Sequence, residues 1–234
     1  MRLVAWNANF NNRRKRSFED NLGILQAFHP DIAVLSESAL PNDSLQRVVP
    51  LSNGNPGLVV AAIGEYTLEP ATANANAPPE FGLLHVHGPA AFVLAAAWPR
   101  LRDGAKDYHR LLMQGLDLLR SEWTSGPAIM AGDFNSNSRV SGQASSHPRF
   151  VKAAKAAGLK SVYHHHAGEE HGAESVTTFV QGKIRPRRFH LDYCFVSDQL
   201  VAAATVTIPQ TDVWLRRSDH YPVVLDIPDA AFRS

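Results

Sequence analysis

The chain has 234 residues, 44% of them hydrophobic, and its 23 Lys and Arg against 22 Asp and Glu give a net charge of +1. This length suits one large domain or two small ones with a sizeable core, and we expect one domain over residues 1–234. The near-zero charge does not provide the broad basic surface that drives non-specific binding to duplex DNA.

The composition also bears on the compartment. Cys194 is the single cysteine, which excludes an internal disulfide and fits a reducing environment. No apolar run approaches the roughly 18 residues of a membrane span. Residues 1–6 read directly into a strand rather than into a signal peptide. We therefore expect a cytoplasmic protein.

The first half of the chain predicts one helix among several strands. Residues 2–6 form the first predicted strand, followed by the polar stretch NANFNNRRKR. Ser17 and Asp20 resemble a capping box, and the apolar spacing from Phe18 to Phe28 predicts a helix that Pro30 ends. Strands are then predicted at 31–37, 57–63, 66–70, 81–88 and 91–98.

The second half alternates helices and strands. It predicts helices at 108–123 and 147–158 and strands at 127–134, 176–180, 189–197, 202–208 and 221–227. Strands outnumber helices, and hairpin-like neighbours mix with crossovers. The pattern predicts an α/β (α+β) fold of two mixed sheets packed together, with helices outside.

One predicted strand ends in an unusual way, since the apolar run 128–131 is followed by Gly132-Asp133-Phe134-Asn135. Side chains at i and i+2 share a face of an extended strand, so Asp133 and Asn135 are expected to point the same way. Gly132 allows a bend or a close backbone approach. The pair is either an Asx turn or a polar pair aimed at a substrate.

Other polar residues also stand at predicted strand ends. The full set is Asn7, Asn9, Glu37, Asp133, Asn135, Asp192, Asp219 and His220. Asp192 lies inside an apolar strand, where an unpaired carboxylate is costly, so it needs a partner such as a histidine. An oxygen-rich group of this kind suits Mg²⁺ or Mn²⁺, and such a cation neutralises phosphate.

Five stretches carry a family resemblance. WNAN, LSES with Glu37, GDFNSN, HLDYCFVS and SDHYPVV resemble, in order, the motifs of the endonuclease/exonuclease/phosphatase superfamily. That superfamily includes deoxyribonuclease I, exonuclease III-type AP endonucleases, sphingomyelinases and inositol polyphosphate phosphatases. The resemblance runs from Asn7 to Val224, is nearest to short bacterial members, and implies a four-layered αββα sandwich.

The resemblance assigns a metal site. It implies that Glu37 is the main Mg²⁺ ligand, that Asn7 assists the metal or orients the nucleophile and phosphate, and that Asp219 lies near the metal. Asn9 stands where many relatives carry a second carboxylate, which leaves its part in the metal site open, and it is a candidate substrate contact.

The resemblance also assigns the chemistry. It implies that Asp133 orients and deprotonates the attacking water and that Asn135 holds a phosphate oxygen. His220 would stabilise the pentacovalent state, with Asp192 fixing its tautomer.

Two positions depart from the family pattern. Many relatives carry a central-strand histidine where this chain has Ala96 and Trp98, and a glutamine where it has Ser36. The AP endonucleases use a tyrosine from the same region, and Tyr108 is the candidate here. The acid for the leaving group is therefore unassigned.

Basic and aromatic residues offer substrate contacts. The basic runs are 13–16, the four cations from Lys183 to Arg188, and Arg216-Arg217. Each run is either a solvated face or a phosphate-binding segment, and we take Arg185, Arg188 and Arg217 as candidate substrate contacts. Of the tryptophans that offer base stacking, Trp214 is the best candidate, and core packing is the alternative for each.

The stretch YHHHAGEEH, residues 163–171, is open to three interpretations. His164, His166 and His171 are possible Zn²⁺ ligands. A solvated loop near the cleft is the expected reading, because neither clustered cysteines nor a helical register accompany them. In a third reading, His164 or His166 contacts the substrate.

Together these features predict a Mg²⁺-dependent phosphoester hydrolase, Mn²⁺ being possible, that cleaves nucleic acid as a monomer. The alternative is a small-molecule or lipid phosphodiesterase or phosphatase of the same fold. A non-catalytic binding module is a further alternative.

Overall fold

A computed structural model describes residues 1–10, 16–43, 45–101, 107–182 and 187–233. Within these ranges the chain forms fourteen strands and six α-helices. The elements up to residue 100 are β1 (Arg2–Asn7), α1 (Phe18–Leu25), β2 (Ile32–Ser38), β3 (Val48–Pro50), β4 (Gly57–Ala62), β5 (Thr67–Pro70), β6 (Phe81–His87) and β7 (Phe92–Ala97).

The remaining elements begin with a long amphipathic helix. They are α2 (Tyr108–Glu122), β8 (Ala128–Asp133), α3 (Ser146–Ala156), β9 (Leu159–Ser161), α4 (Val162–Ala167), β10 (Phe179–Gln181), β11 (Arg187–Phe189), β12 (Asp192–Ser197), α5 (Asp198–Val201), β13 (Thr205–Thr207), α6 (Asp212–Leu215) and β14 (Val223–Asp226). Short 3₁₀ turns lie at Gln26–Phe28, Thr72–Asn76 and Asp229–Arg233.

Among the described residues the strands form two six-stranded sheets and a two-stranded ribbon. The first sheet has the order β13-β14-β1-β2-β4-β3, and β1 and β2 are parallel while their other neighbours are antiparallel. The second has the order β5-β6-β7-β8-β12-β9, with β7 and β8 parallel. The ribbon pairs β10 with β11.

The buried side chains divide into three layers, which follow from the two-residue alternation of the strands. Leu3 and Val34 of the first sheet pack against Leu94 and Ile129 of the second in the central layer. The intervening residues of the first sheet pack against α1, and those of the second pack against α2 and α3. The predicted αββα sandwich of two mixed sheets flanked by helices is confirmed.

Most predicted elements are present, and the differences concern short segments. The Ser17 capping box begins α1 as expected, with Asp20 N donating to Ser17 Oγ at 3.0 Å. The strand predicted at 189–197 is wrong in its extent, because residues 190 and 191 are not in a strand and separate β11 from β12. β3, β9, α4, α5 and α6 were not predicted. In the described part of the chain, no helix combines the length and apolarity needed to span a bilayer.

Candidate active site

Three polar side chains lie at strand ends on the faces that the two sheets turn toward each other. Asn7 continues the face of Ala5 in β1, and Ala5 belongs to the central layer. Asp133 continues the face of Ala131 in β8 in the same way. Asp192 is paired directly with Asp133 across the antiparallel β8–β12 ladder. The strand alternation thus brings these residues together.

Glu37 reaches the same place through a β-bulge. The β2–β4 pairing shifts register between Leu35 and Ser38, and Glu37 has a φ of 44°. In a regular strand Glu37 would share the face of Leu35, which packs toward α1. The bulge redirects its carboxylate so that Asn7 Nδ2 donates to Glu37 Oε1 at 3.2 Å.

Gly132 permits the close approach of β7 and β8 beside the site. Its φ is 139°, and a Cβ at this position would lie 2.1 Å from the carbonyl oxygen of Ala97. A residue with a side chain therefore does not fit. The close backbone approach expected at Gly132 is present, immediately before Asp133.

Asp133 forms the Asx turn that the GDFN stretch offered, and its second carboxylate oxygen faces the other polar groups. Asn135 N donates to Asp133 Oδ1 at 2.9 Å, which is the turn contact. Asp133 Oδ2 accepts from Asn7 Nδ2 at 2.9 Å and from Asn135 Nδ2 at 3.3 Å.

His220 is held by Asp192. His220 Nδ1 lies 2.9 Å from Asp192 Oδ2, and its Nε2 lies 4.0 Å from Asp133 Oδ2. Both histidine and aspartate are buried, with 4% and 1% of their surfaces exposed. The buried carboxylate of β12 therefore has the histidine partner that the sequence called for.

Two hydroxyls, not identified from the sequence, fix the backbone around this pair. Thr178 Oγ1 accepts from Leu191 N at 2.8 Å and from Asp192 N at 3.0 Å. Ser218 Oγ donates to Asn7 O at 2.7 Å and accepts from His220 N at 3.0 Å. Ser218 stands inside the SDH stretch, so its position was a usable signal, whereas nothing in the sequence marks Thr178.

The electrostatics follow from burial of several carboxylates around one imidazole. Burial raises the pKa of Glu37, and repulsion from Asp192 adds to burial in raising the pKa of Asp133. Burial lowers the pKa of His220, but attraction to Asp192 and Asp133 outweighs it, and the net pKa is raised. At neutral pH these shifts favour a protonated His220.

The donor set fits a hard divalent cation. Three carboxylates, those of Glu37, Asp133 and Asp192, surround one imidazole, which leaves an excess of negative charge and oxygen donors. Glu37, with Asn7 beside it, is suited to holding such an ion. Asp219 stands at the edge, where Asn9 Nδ2 donates to its Oδ1 at 2.7 Å. An amide at Asn9 therefore supports Asp219, where a second carboxylate would repel it.

The position of the missing family histidine is apolar. Trp98 is 1% exposed, belongs to the central layer, and carries the Arg100 guanidinium 4.4 Å from its ring. Tyr108, at the start of α2, is close enough to the site that Asp133 and Glu37, after burial, raise its pKa. Tyr108 thus places a phenol near Asp133 and Glu37.

The placement of Trp214 contradicts its predicted role in base stacking. It is 6% exposed, because its ring stacks on Phe28 at 5.1 Å and meets the edge of Trp6 at 5.7 Å. The Arg217 guanidinium covers it at 5.5 Å.

The basic runs are only partly described. Residues 13–15 and Arg185 lie outside the described residues. Arg16 donates to Ala8 O and Arg217 O at 2.7 and 2.8 Å, so it joins backbone segments. Arg188 lies exposed on β11.

The YHHH stretch also differs from the expected solvated loop. It forms α4, and His164 lies within a histidine cluster, defined as His147, His164, His171 and Glu174, packed near Tyr193. Tyr193 alternates with Asp192 along β12, so the histidine cluster lies on the opposite face of the second sheet from the site. The structure thus places His164 apart from these residues, and its contact with substrate stays a prediction.

His166 does not belong to the histidine cluster, since its Nε2 bonds to Ala204 O at 2.7 Å. Burial lowers the pKa of His147 to about 4 and that of His171 to about 3. Burial opposes ionisation of Glu174, but hydrogen bonds from His164 and Gly172 outweigh it and lower its pKa to about 2.

Comparison with known proteins adds a family and a fold. The sequence profile of the Endonuclease/Exonuclease/phosphatase family matches residues 4–220. No curated protein sequence matches the chain.

Solved structures of similar fold include the 3′-5′ exonuclease NExo from Neisseria meningitidis, 19% identical over 97% of this chain and 99% of that chain, with a TM-score of 0.71. The 3′ phosphatase NExo from Neisseria bound to a product DNA hairpin is 17% identical over the same shares, with a TM-score of 0.72. The endonuclease domain of TRAS1, a telomere-specific non-LTR retrotransposon, is 16% identical over 97% of each chain, with a TM-score of 0.69.

Proposed function

Starting from the fact that this chain belongs to the Endonuclease/Exonuclease/phosphatase family, we propose that it is a Mg²⁺-dependent nuclease that hydrolyses phosphodiesters of nucleic acid. The observation that carries the proposal is the placement of Asp133 beside the buried Asp192–His220 pair. Asp133 Oδ2 lies 4.0 Å from His220 Nε2. A base and a cationic hydrogen-bond donor thus face one small volume.

Asp133 acts as the general base. Its Oδ2 is held by Asn7 Nδ2, so the carboxylate has a fixed orientation toward an attacking water. The raised pKa makes it a stronger base than a solvated aspartate, as a group that accepts a proton near neutral pH requires.

His220 stabilises the phosphoryl oxygens. With Nδ1 held by Asp192, the proton on Nε2 is the one available to a phosphate oxygen. The raised pKa keeps the ring cationic, so it opposes the negative charge that develops as the water oxygen adds to phosphorus. Asn135, beside Asp133, is the second donor for a phosphate oxygen.

Glu37, Asn7 and Asp219 are the residues that would hold Mg²⁺ or Mn²⁺. When bound, the cation supplies neutralisation of phosphate charge. The raised pKa of Glu37 supports this assignment, because a buried carboxylate gains most from a positive partner.

The reaction forms a bond from the water oxygen to phosphorus and breaks the bond from phosphorus to the leaving alkoxide. Asp133 receives the proton of the water, and the alkoxide requires a proton in turn. Tyr108 is the proposed donor, since its raised pKa keeps the phenol protonated near Asp133 and Glu37.

Nucleic acid as substrate is supported by the relatives of this fold, which include an exonuclease, an endonuclease domain and a phosphatase bound to a DNA hairpin. Arg188 and Arg217 are the proposed phosphate contacts. A cytoplasmic location and a monomeric state stay predictions, the former resting on the lone Cys194.

The test is a hydrolysis panel with MgCl₂ or MnCl₂ against EDTA. It contains single-stranded DNA, duplex DNA, abasic duplex, RNA and bis-p-nitrophenyl phosphate. His220→Ala is expected to lose cleavage, and His87→Ala, an exposed histidine on β6, is the control expected to keep it. Cleavage that persists in EDTA, or in His220→Ala, would refute the proposal.

The alternative substrate is a small phosphoester, and the net charge of +1 favours it. The two are separated by salt. Binding of a polyanion weakens steeply as salt rises, whereas binding of a small diester does not. Cleavage of bis-p-nitrophenyl phosphate alone would select the alternative.

A further inference from the structure

The histidine cluster is a second group of metal-ligating side chains, and the proposed reaction does not use it. Its members come from α3 (His147), α4 (His164) and the segment after α4 (His171 and Glu174). They lie on the outer face of the second sheet, beside Tyr193 of β12, whereas Asp192 of the same strand points to the opposite face.

We propose that His164, His171 and Glu174 bind one transition-metal ion of the zinc class, as a site separate from the catalytic cation. One donor atom from each residue lies within 4.8 Å of the others. His164 Nε2 and Glu174 Oε1 are 3.2 Å apart. Donors of a tetrahedral zinc ion with bonds of 2.0–2.1 Å are about 3.3 Å apart, so this pair already has the required spacing.

The outer nitrogens of both histidines are held by partners. His164 Nδ1 lies 2.8 Å from Ser161 Oγ. His171 Nδ1 lies 3.1 Å from His147 Nε2, and this leaves Nε2 of His171 for an ion. Histidine ligands of metals usually have the second nitrogen fixed in this way, because it sets the tautomer and the ring orientation.

His147 extends this support by one further bond. Its Nδ1 pairs with Ser136 Oγ at 2.9 Å, so a chain of hydrogen bonds runs from Ser136 through His147 to His171. His147 is therefore a positioning residue.

Glu174 offers an ionised carboxylate that is already fixed in place. Its side chain is 3% exposed, and a buried carboxylate needs hydrogen bonds or a positive partner to stay ionised. Its Oε1 accepts from Asn137 Nδ2 and Gly172 N, both at 2.9 Å, which fixes its position. Two imidazole donors with one carboxylate favour zinc over magnesium, which prefers oxygen ligands.

An ion has access to this site and would change its geometry. A surface cavity of about 280 Å³ is lined by His164, His171 and Phe195 among others. The rings of His164 and His171 are stacked with centroids 3.5 Å apart and planes at 13°. Because two lone pairs must converge on one ion, we expect the rings to splay on binding.

The site would be structural, since the ion joins α4 to the segment that carries Gly172 and Glu174. That segment leads to Thr178, which fixes the backbone of Asp192. Loss of the ion is therefore expected to loosen this part of the chain.

The experiment is a Co²⁺ titration of protein without a polyhistidine tag, in a Glu37→Gln background that weakens the catalytic cation site. We expect one Co²⁺ per chain, held by the three side chains and one water, with the intense visible absorption of a four-coordinate ion that Zn²⁺ displaces. His164→Ala is expected to lower the affinity by more than about 100-fold, while His166→Ala, on the same helix but outside the histidine cluster, leaves it unchanged.

Circular dichroism establishes that each variant is folded. Should His164→Ala fail to fold, the nearly isosteric Glu174→Gln provides the same comparison. Absence of four-coordinate Co²⁺ absorption in the Glu37→Gln protein would overturn the proposal. Equal losses in His166→Ala and His164→Ala or Glu174→Gln would overturn it as well.

Discussion

The replacement Gly132→Ala tests whether the close contact of β7 and β8 is required for the fold. A Cβ at this position lies 2.1 Å from Ala97 O, a backbone atom in a central strand pair that cannot rotate away. The φ of 139° costs a non-glycine residue about 1–3 kcal/mol, and overpacking costs about 1–3 kcal/mol more. We expect the free energy of unfolding to fall by about 4 kcal/mol.

The matched control is Gly126→Ala. Gly126 also has a positive φ, of 83°, but a Cβ there meets no atom within 4 Å. It is expected to cost only the backbone strain, about 1–2 kcal/mol. Urea denaturation would measure the free energy of unfolding of both variants, and the comparison holds if their m-values are equal. If Gly132→Ala costs no more than Gly126→Ala, the argument from close approach is refuted.

Three further predictions concern catalysis, pH and salt. Asp192→Asn is expected to lower kcat by about 10³-fold without changing the fold, because His220 loses the charge that keeps its ring oriented and cationic. Asp198→Asn, at an exposed position, should leave kcat unchanged, and equal kinetics of the two variants would contradict the prediction. In EDTA, His147→Gln should lose less thermal stability than the unchanged protein as pH drops from about 6.5 to about 4, since the unfolded chain protonates His147 in that range while the folded chain does not; equal losses in the two proteins would contradict it. Arg188→Ala should reduce the slope of log affinity against log salt for duplex DNA by about 1, and an unchanged slope would remove Arg188 from the interface.

The sequence predicts the frame of this fold because long buried strands and capped helices carry local signals. The strand that ends at Asp133 and the helix that begins after Ser17 are of this kind. Elements of three or four residues, such as β9 and α6, depend on tertiary contacts and leave no periodicity to detect.

The candidate site could be predicted in its residue types but not in its construction. A carboxylate inside an apolar strand required a partner, and His220 supplies it. The bulge that redirects Glu37 has no signature in the sequence, because its neighbours on β2 read as a regular strand. The burial of Trp214 and the separation of His164 from the site both depend on which sheet face a segment packs on.

The contacts of β1 with the segment just before β14 have a consequence for biosynthesis. Ser218 Oγ donates to Asn7 O across 211 positions of the chain, and Trp6 Nε1 donates to His220 O across 214. Contacts of such high contact order form late, because closing a long loop costs entropy before any contact compensates for it. A growing polypeptide on the ribosome carries Glu37 and Asp133 long before His220 is synthesised. Under the proposed function, the nascent chain therefore lacks its catalytic histidine until synthesis is almost complete.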